Sequence, residues 1–352
     1  MKAAIATGFG NIDENIHVNE NWPRPILLLD QHTGFMMIRV LACALAPGDV
    51  RLLSGKTDYV QLPKSGHPYV IGSDVCGIVV EVEDDENYFQ VGDKVVARFD
   101  VPQPVGGVAE FRLVKTSLSE KAPTSISSVE ACTLPASAMA AKLLATKFVK
   151  PNQRVLILGG SGVVGTFLCQ FVKLQGASYL AATSTVTQLV SGLRCDRVID
   201  YRIENWWEID EFHENKFDIV LDLVNGDNWE RGGRSGLAMK RKALYVSLLT
   251  GVATDVEVHG PTDMVQLGFH LIGKLLWTRV NPFLPKWYAP EGLELKPGDL
   301  RELFQDIDRG RIRVILDPSS PFPFTEEGVR HAMALQKSTH AHGKVVIKIA
   351  DE

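Results

Sequence analysis

Cysteine is scarce and unpatterned in this chain. The five residues, Cys43, Cys76, Cys132, Cys169 and Cys195, show no CxxC and no Cys/His spacing, and their odd number argues for reduced thiols over a disulfide framework. Positive charge is lacking too: the net charge is -5, so nothing attracts a phosphate backbone and nucleic acid is not an expected partner. The N-terminus, MKAAIATGFG, has neither the sustained apolar region of a signal peptide nor the Arg-rich pattern of a transit peptide. It reads as a first strand, and together with the reduced thiols it points to a cytoplasmic location. The most apolar later stretch, Met264 to Tyr288, is interrupted by His270, Lys274, Arg279 and prolines, which leaves no window to cross a bilayer.

What remains is an ordinary globular composition at 352 residues, a length that exceeds one hydrophobic core and predicts two domains. From Met1 to about Lys121 short strand-like runs such as MMIRVLACAL, YVIGSDVCGIVVEV and DKVVARF alternate with Gly, Pro and Asp clusters, the grammar of a β-barrel. The acidic EVEDDEN stretch, 81–87, reads as a solvated hairpin tip. From about Pro123 the texture turns helical, with VEACTLPASAMAAKLLATKFV predicted as one or two helices ending at Pro151. Then RVLILGG, VVGTFLCQFVKLQG, SYLAAT, DRVID, FDIVLDLV and ALYVSLL follow at crossover spacing and predict a parallel sheet. The last portion reads as helix, strand (RIRVILD), helix and strand (KVVIKIA), and could extend that sheet or return to the first domain.

The sharpest local signal is Gly160-Ser161-Gly162-Val163-Val164-Gly165, a G-x-G-x-x-G directly after a predicted strand and before a predicted helix. In that context the first glycine permits a tight turn, the second lets backbone N–H groups approach a pyrophosphate, and the third allows close helix-to-strand packing. The helix N-terminus offers its partial positive charge to the anion. No Lys-Ser/Thr follows the glycines, which excludes a P-loop and nucleotide hydrolysis. About 20 residues on, an Asp or Glu should grip the ribose of NAD, but SYLAAT runs into Ser184-Thr185-Val186-Thr187. An uncharged, hydroxyl-rich site accepts a 2′-phosphate better than a carboxylate would, so NADPH is expected over NADH.

Other chemistries fail on their residues. A catalytic zinc would need Cys, His and carboxylate ligands around an open position, but 43–49 (CALAPGD) holds no His and 72–77 (GSDVCG) has Ser where a His would serve. The bland reading of Cys43 and Cys76, as small apolar residues in core strands, is preferred. His17, His32, His67, His259, His270, His331, His340 and His342 lack the spacing of a metal pair, and no tyrosine is followed four residues on by lysine, as short-chain reductases require.

In the stretches PYVIGSDVCGIVVEV, FQVGDKVVARF, GGVAEF, VLILGGSGVVGTFLCQFVKLQGA, DRVIDYR, FDIVLDLV and HGKVVI, the chain resembles the medium-chain dehydrogenase/reductase superfamily, in its zinc-free quinone oxidoreductase branch. ALYVSLLT and DRGRIRVILD are most similar to its reticulon-interacting mitochondrial and plant quinone reductases. The resemblance implies an α/β protein with a GroES-like catalytic domain, 1–122 and 300–352, and a Rossmann domain, 123–299. It implies that Gly160, Gly162 and Gly165, with Ser161, Val163 and Val164 between them, carry the cofactor. Ser184 and Tyr201 fall at the 2′-phosphate and adenosine end, and Val224, Leu248 and Thr250 at the nicotinamide.

Asp49 matches a common acidic position of the cleft, although a helix cap after Pro47-Gly48 explains it equally well. The branch usually reads Asn-x-x-Asp-x-Tyr-x-Arg-x-Gly there, whereas this chain has Ala46, Asp49, Arg51, Leu53 and Gly55, and it lacks the basic residue often found at Val186. The implied reaction is hydride transfer to a quinone or a conjugated enal or enone, with Arg51 and Tyr59 as candidate hydrogen-bond donors to the developing oxyanion. A cofactor-binding structural or partner-binding role is the alternative. GFHLIGKLLWTRVNPFLPKWY is expected to cover the substrate mouth or the seam of a homodimer, with peripheral membrane contact as the rival.

Overall fold

The computed structural model describes residues 1–28, 32–56, 66–83, 88–99, 106–248, 260–289 and 298–352. They form two units, Met1–Met139 with Leu295–Glu352, and Ala140–Glu294. In chain order the first unit opens with β1 (Ala3–Ala6), α1 (Ile12–Asn15), β2 (Ile16–Asn19), β3 (Phe35–Ala44), α2 (Pro47–Ser54), β4 (Tyr69–Val70), β5 (Val75–Val82), β6 (Lys94–Ala97), β7 (Phe111–Lys115), β8 (Ser119–Lys121) and α3 (Ser128–Ala131). β3 is the spine, pairing antiparallel with β5 and β7. Its residues are buried along most of their length, with Met36, Ile38 and Val40 in one core cluster with Val75, Val79 and Val95. A strand buried on both faces loses the alternation of a half-exposed one and reads as a continuous apolar run.

The Ala/Leu-rich segment folds as α3, a π-helical turn over Leu134–Ala138 that contains Pro135, and α4 (Met139–Phe148). The sequence assigned all of 123–299 to the dinucleotide domain, but residues 123–139 group with the first unit. The reason is polar anchoring. Ser128 donates from both its N and its Oγ to Glu352 Oε1, each at 2.7 Å, and Ala136 N donates to Asp74 Oδ2 at 2.8 Å.

The second unit continues with β9 (Arg154–Leu158), α5 (Val163–Leu174), β10 (Tyr179–Thr183), α6 (Thr187–Ser191), β11 (Arg197–Ile199), α7 (Asp210–Glu214), β12 (Phe217–Asp222), β13 (Met239–Ser247), α8 (Gly260–Val280) and β14 (Lys286–Tyr288). Its sheet runs β11-β10-β9-β12-β13-β14, and every pairing is parallel. Two consecutive runs wind outward from the centre, so the order reverses between β9 and β12, and ligands of such sheets bind outside the carboxyl ends at that reversal.

The C-terminal portion, α9 (Asp299–Asp308), β15 (Phe322–Pro323), α10 (Glu326–Ser338) and β16 (Val346–Lys348), returns to the first unit, where β16 lies antiparallel to β3. The strand expected over RIRVILD is absent; Leu316 makes only an isolated bridge to Lys344. Asp317 diverts the backbone there, its carboxylate accepting from Ser319 N at 2.9 Å and His342 N at 2.8 Å, and Pro318 follows.

Candidate active site

The glycine loop sits where β9 hands over to α5, at the reversal of the sheet. The turn's left-handed residue is Gly159, with φ of +89°, whereas the sequence reading gave the tight turn to Gly160. Gly160 has a packing reason instead: a methyl built on it would lie 2.8 Å from the Ala182 Cβ of β10. At Gly165 the same methyl would lie 2.0 Å from Gly159 O and 2.9 Å from Gly160 Cα, so the first turn of α5 rests directly on the loop backbone. Gly162, the N-cap of α5, is different, because a methyl there meets only Gly159 O, at 3.6 Å. One glycine is needed for conformation, two for contact, and one leaves the backbone open at a helix N-terminus, which is the arrangement an anionic pyrophosphate requires. The loop is braced by Thr183, which accepts from Gly159 N at its Oγ1 and from Gly160 N at its carbonyl, both at 2.9 Å.

Across the reversal, β12 ends in Asp222, which sequence reasoning missed. Its Oδ1 accepts from Val224 N at 2.9 Å and Asn225 N at 2.8 Å, while the Tyr245 hydroxyl of β13 donates to Oδ2 at 2.5 Å. Burial raises the pKa of Asp222, and these hydrogen bonds oppose the rise. Burial beside this carboxylate also pushes the Tyr245 hydroxyl far above its ordinary range. The network shapes the loop that carries Val224, whose side chain is exposed and borders Gly159: a methyl on that glycine would stand 2.9 Å from Val224 Cγ2. Leu248 joins the same edge, its N donating to Asp222 O at 2.9 Å. The structure therefore gathers the glycine loop, Val224 and Leu248 at one end of the sheet, while Thr250 lies outside the described residues.

Ser184 also stands at that end, but it is buried, and its Oγ accepts from Val186 N at 2.9 Å. In this conformation its hydroxyl shapes the turn into α6, and it does not face outward as a ligand contact would. Tyr201 is exposed just beyond β11, the neighbouring parallel strand. Next to it is Arg202, the cation that the β10 turn lacks. Its Nε and Nη2 reach Asp200 at 2.9 and 2.5 Å, and this guanidinium holds the Asp200 carboxyl down at about 2.

In the first unit Asp49 is a structural residue. It occupies the third position of α2, where its Oδ2 accepts from Ala46 N at 2.7 Å and from Ser73 Oγ at 3.1 Å, and its Oδ1 from Gly72 N at 3.0 Å. Burial raises its pKa. The cap reading is the one the geometry supports. Arg51 is half-buried in the last turn of α2, and Tyr59 lies outside the described residues. Close to Asp49 is a buried polar group that no motif announced. The Nζ of Lys344, from the HGKVVI stretch, donates to Ser137 Oγ at 3.1 Å, and Asp74 is pushed up to about 6 by burial despite the charge of Lys344. Cys43, buried on β3, points its thiol toward Ser73 O at 3.7 Å, and burial raises its pKa far enough to keep it protonated. Among the described residues no three His, Cys, Asp or Glu side chains converge as a metal site.

Comparison with known proteins agrees with this layout. The family described as alcohol dehydrogenase GroES-like domain matches residues 32–123, and the family described as zinc-binding dehydrogenase matches 193–347. The mitochondrial NAD(P)H oxidoreductase RTN4IP1 of Mus musculus is 31% identical, the match covering 99% of this chain and 89% of that protein. The chloroplastic NADPH-dependent alkenal/one oxidoreductase of Arabidopsis thaliana is 29% identical, with 99% and 79% covered. The quinone oxidoreductase of Coxiella burnetii shares the fold at a TM-score of 0.77 and 22% identity, with 99% of each chain covered, and that of Escherichia coli, solved with NADPH, at 0.74 and 21%, with 99% and 100% covered. With a mouse relative 31% identical across 99% of this chain and 89% of its own length, the chain is an oxidoreductase of the quinone oxidoreductase branch of the medium-chain dehydrogenase/reductase superfamily.

Proposed function

We propose that the protein uses NADPH to reduce a quinone or an α,β-unsaturated carbonyl, without zinc. The observation that carries this reading is the open backbone at Gly162, at the N-terminus of α5 and beside the exposed Val224. A dinucleotide fits there. The loop from Gly160 to Gly165 would hold its pyrophosphate, Tyr201 and Arg202 its adenosine 2′-phosphate end, and Val224 and Leu248 its nicotinamide. When bound, it supplies a hydride. The absence of a carboxylate after β10 and the presence of Arg202 after β11 support NADPH over NADH. The names of relatives, an alkenal/one oxidoreductase in Arabidopsis thaliana and a 2-methylene-furan-3-one reductase in Solanum lycopersicum, support a conjugated carbonyl.

Zinc independence rests on the state of the groups that could ligate. Zinc takes thiolates and free carboxylate oxygens. Here both oxygens of Asp49 are occupied, the Ser73 hydroxyl is spent on one of them, and neither 43–49 nor 72–77 offers a His. Without a Lewis acid the acceptor must be electrophilic through its own conjugation: hydride adds at the far end and a proton reaches the resulting oxyanion. Fluorescence titration with NADPH and NADH, followed by turnover against quinones and alkenals with and without a chelator, tests the reading. Tight NADPH binding with chelator-resistant turnover is expected. Absence of NADPH binding, or activity lost to the chelator and restored by zinc, would overturn it.

A further inference from the structure

α8 is apolar on two sides. Leu271 and Leu275 pack on the core cluster that contains Trp229, Tyr245 and Trp287, and the buried Thr278 hydroxyl accepts from Trp287 N at 3.2 Å. The other side presents Val265, Phe269, Ile272, Leu276 and Val280, each more than half exposed. Their spacings of three and four place them in one stripe. Trp277 flanks the stripe, and Phe283, just past the helix, is 77% exposed. Apolar surface this continuous marks an interaction site.

Its charge says what kind. The chain as a whole carries -5, and Asp263 opens α8, yet residues 264–289 contain Lys274, Arg279 and Lys286 with no acid and residues 234–248 contain Arg234, Lys240, Arg241 and Lys242 with none. Glu230 pairs with Lys274 at 3.6 Å and Arg234 at 3.5 Å, and Asp218 pairs with Lys240 at 2.8 Å, which leaves Arg241, Lys242, Arg279 and Lys286 as the excess. The two stretches meet at Phe283: the Arg241 guanidinium stands 5.4 Å over its ring, and Arg241 Nε donates to Pro282 O at 3.3 Å. Arg241, Lys242, Arg279 and Lys286 are all exposed. A second copy docking two-fold on this face would bring the four cations of each copy into one interface with no acid among them, because such an interface pairs a patch with its rotated image. An anionic bilayer complements both the charge and the apolar stripe. Among the described residues no helix is long and apolar enough to cross a membrane, so the contact is peripheral.

We infer that the outer face of α8, with Phe283 and the basic residues Arg241, Lys242, Arg279 and Lys286, is a docking surface for an anionic lipid bilayer. The aromatic and aliphatic side chains enter the headgroup boundary, and the cations meet lipid phosphates. The inference stands apart from the reaction, since binding is read without turnover. In co-sedimentation, the full chain should pellet with equimolar phosphatidylcholine and phosphatidylglycerol vesicles, remain in solution with phosphatidylcholine alone, and be released by high salt. The pair Arg241→Gln and Lys242→Gln should weaken binding about 25-fold, at about fivefold for each basic residue. Phe269→Ser with Phe283→Ser should abolish it. Brominated lipid should quench the tryptophan emission of the parent more than that of Trp277→Phe, a readout that holds even where the serine pair folds poorly. No binding to the anionic vesicles, or quenching unchanged by Trp277→Phe, refutes the surface. So does light scattering that shows a dimer which the serine pair splits while vesicle binding persists, since the face would then belong to a second copy.

Discussion

Gly162 and Gly165 are three residues apart in one motif, and the structure gives them different work, so the same substitution should have separable effects. At Gly165 an alanine methyl would meet backbone atoms at 2.0 and 2.9 Å, and neither Gly159 nor Gly160 can yield without moving the loop. Overpacking of this kind costs about 1–3 kcal/mol. That corresponds to a melting temperature lower by roughly 2–12 °C for a domain of this size. At Gly162 the methyl makes an ordinary contact at 3.6 Å, and φ of -69° with ψ of 167° suits alanine. Losing a glycine N-cap costs at most about 1 kcal/mol, and the stiffer unfolded chain returns about 0.4–1 kcal/mol, so Gly162→Ala should melt close to the parent. Its methyl nevertheless stands where the pyrophosphate must approach. Blocking one charge-assisted hydrogen bond, about 1.5–3 kcal/mol, should weaken NADPH binding about 10- to 150-fold. Thermal melts and fluorescence titration of both variants decide the matter. A Gly162→Ala variant that binds NADPH as tightly as the parent would refute the assignment of the open backbone to the phosphates, and an unchanged melt for Gly165→Ala would refute the packing.

Arg202→Ala should raise the KM for NADPH about tenfold, the loss of one cation on a phosphate, and leave that for NADH unchanged; equal effects on both would remove Arg202 from the 2′-phosphate. Asp222→Ala leaves the buried Tyr245 hydroxyl and two backbone N–H groups without their acceptor, which should cost roughly 3 kcal/mol in urea denaturation and weaken NADPH binding through the Val224 loop. Asp74 is raised to about 6 by burial, so the folded state holds a proton that the unfolded chain releases earlier; its contribution is full below about pH 4 and declines as pH rises through about 6, by roughly 3 kcal/mol. The melting temperature of Asp74→Asn relative to the parent should therefore improve across that window, and a flat difference would show that Asp74 ionises freely in the fold.

The fold was legible because burial leaves a period in the sequence. RVLILGG and FDIVLDLV read as buried parallel strands, and β9 and β12 are the two central strands of the sheet. The helix after the glycine loop showed its repeat, and α5 follows from it. What failed failed locally. RIRVILD has the alternation of a strand, but Asp317 captures two backbone N–H groups and turns the chain. The segment 123–139 has helical composition wherever it packs, and only its partners Asp74 and Glu352, distant in sequence, decide its unit.

The site was legible where it is made of backbone and obscure where it is made of side chains. A glycine motif records its requirement in the sequence, because only glycine suits a φ of +89° or a site where a methyl would fall 2.0 Å from a backbone oxygen; even so, which glycine serves which need emerged only with Gly159 placed. Asp222 carries no such mark, being one acid at the end of an apolar run, and its role depends on Tyr245 arriving from the next strand. A buried acid closing a strand beside the sheet reversal was nonetheless a usable signal, since a carboxylate is rarely buried without several donors. The same reasoning applies to Asp49, Asp74 and Lys344. Asp49 is satisfied by Ala46 N, Gly72 N and the Ser73 hydroxyl, Asp74 by Ala136 N and Lys344 by the Ser137 hydroxyl, which explains how buried charged groups that no motif announced serve the fold of the first unit.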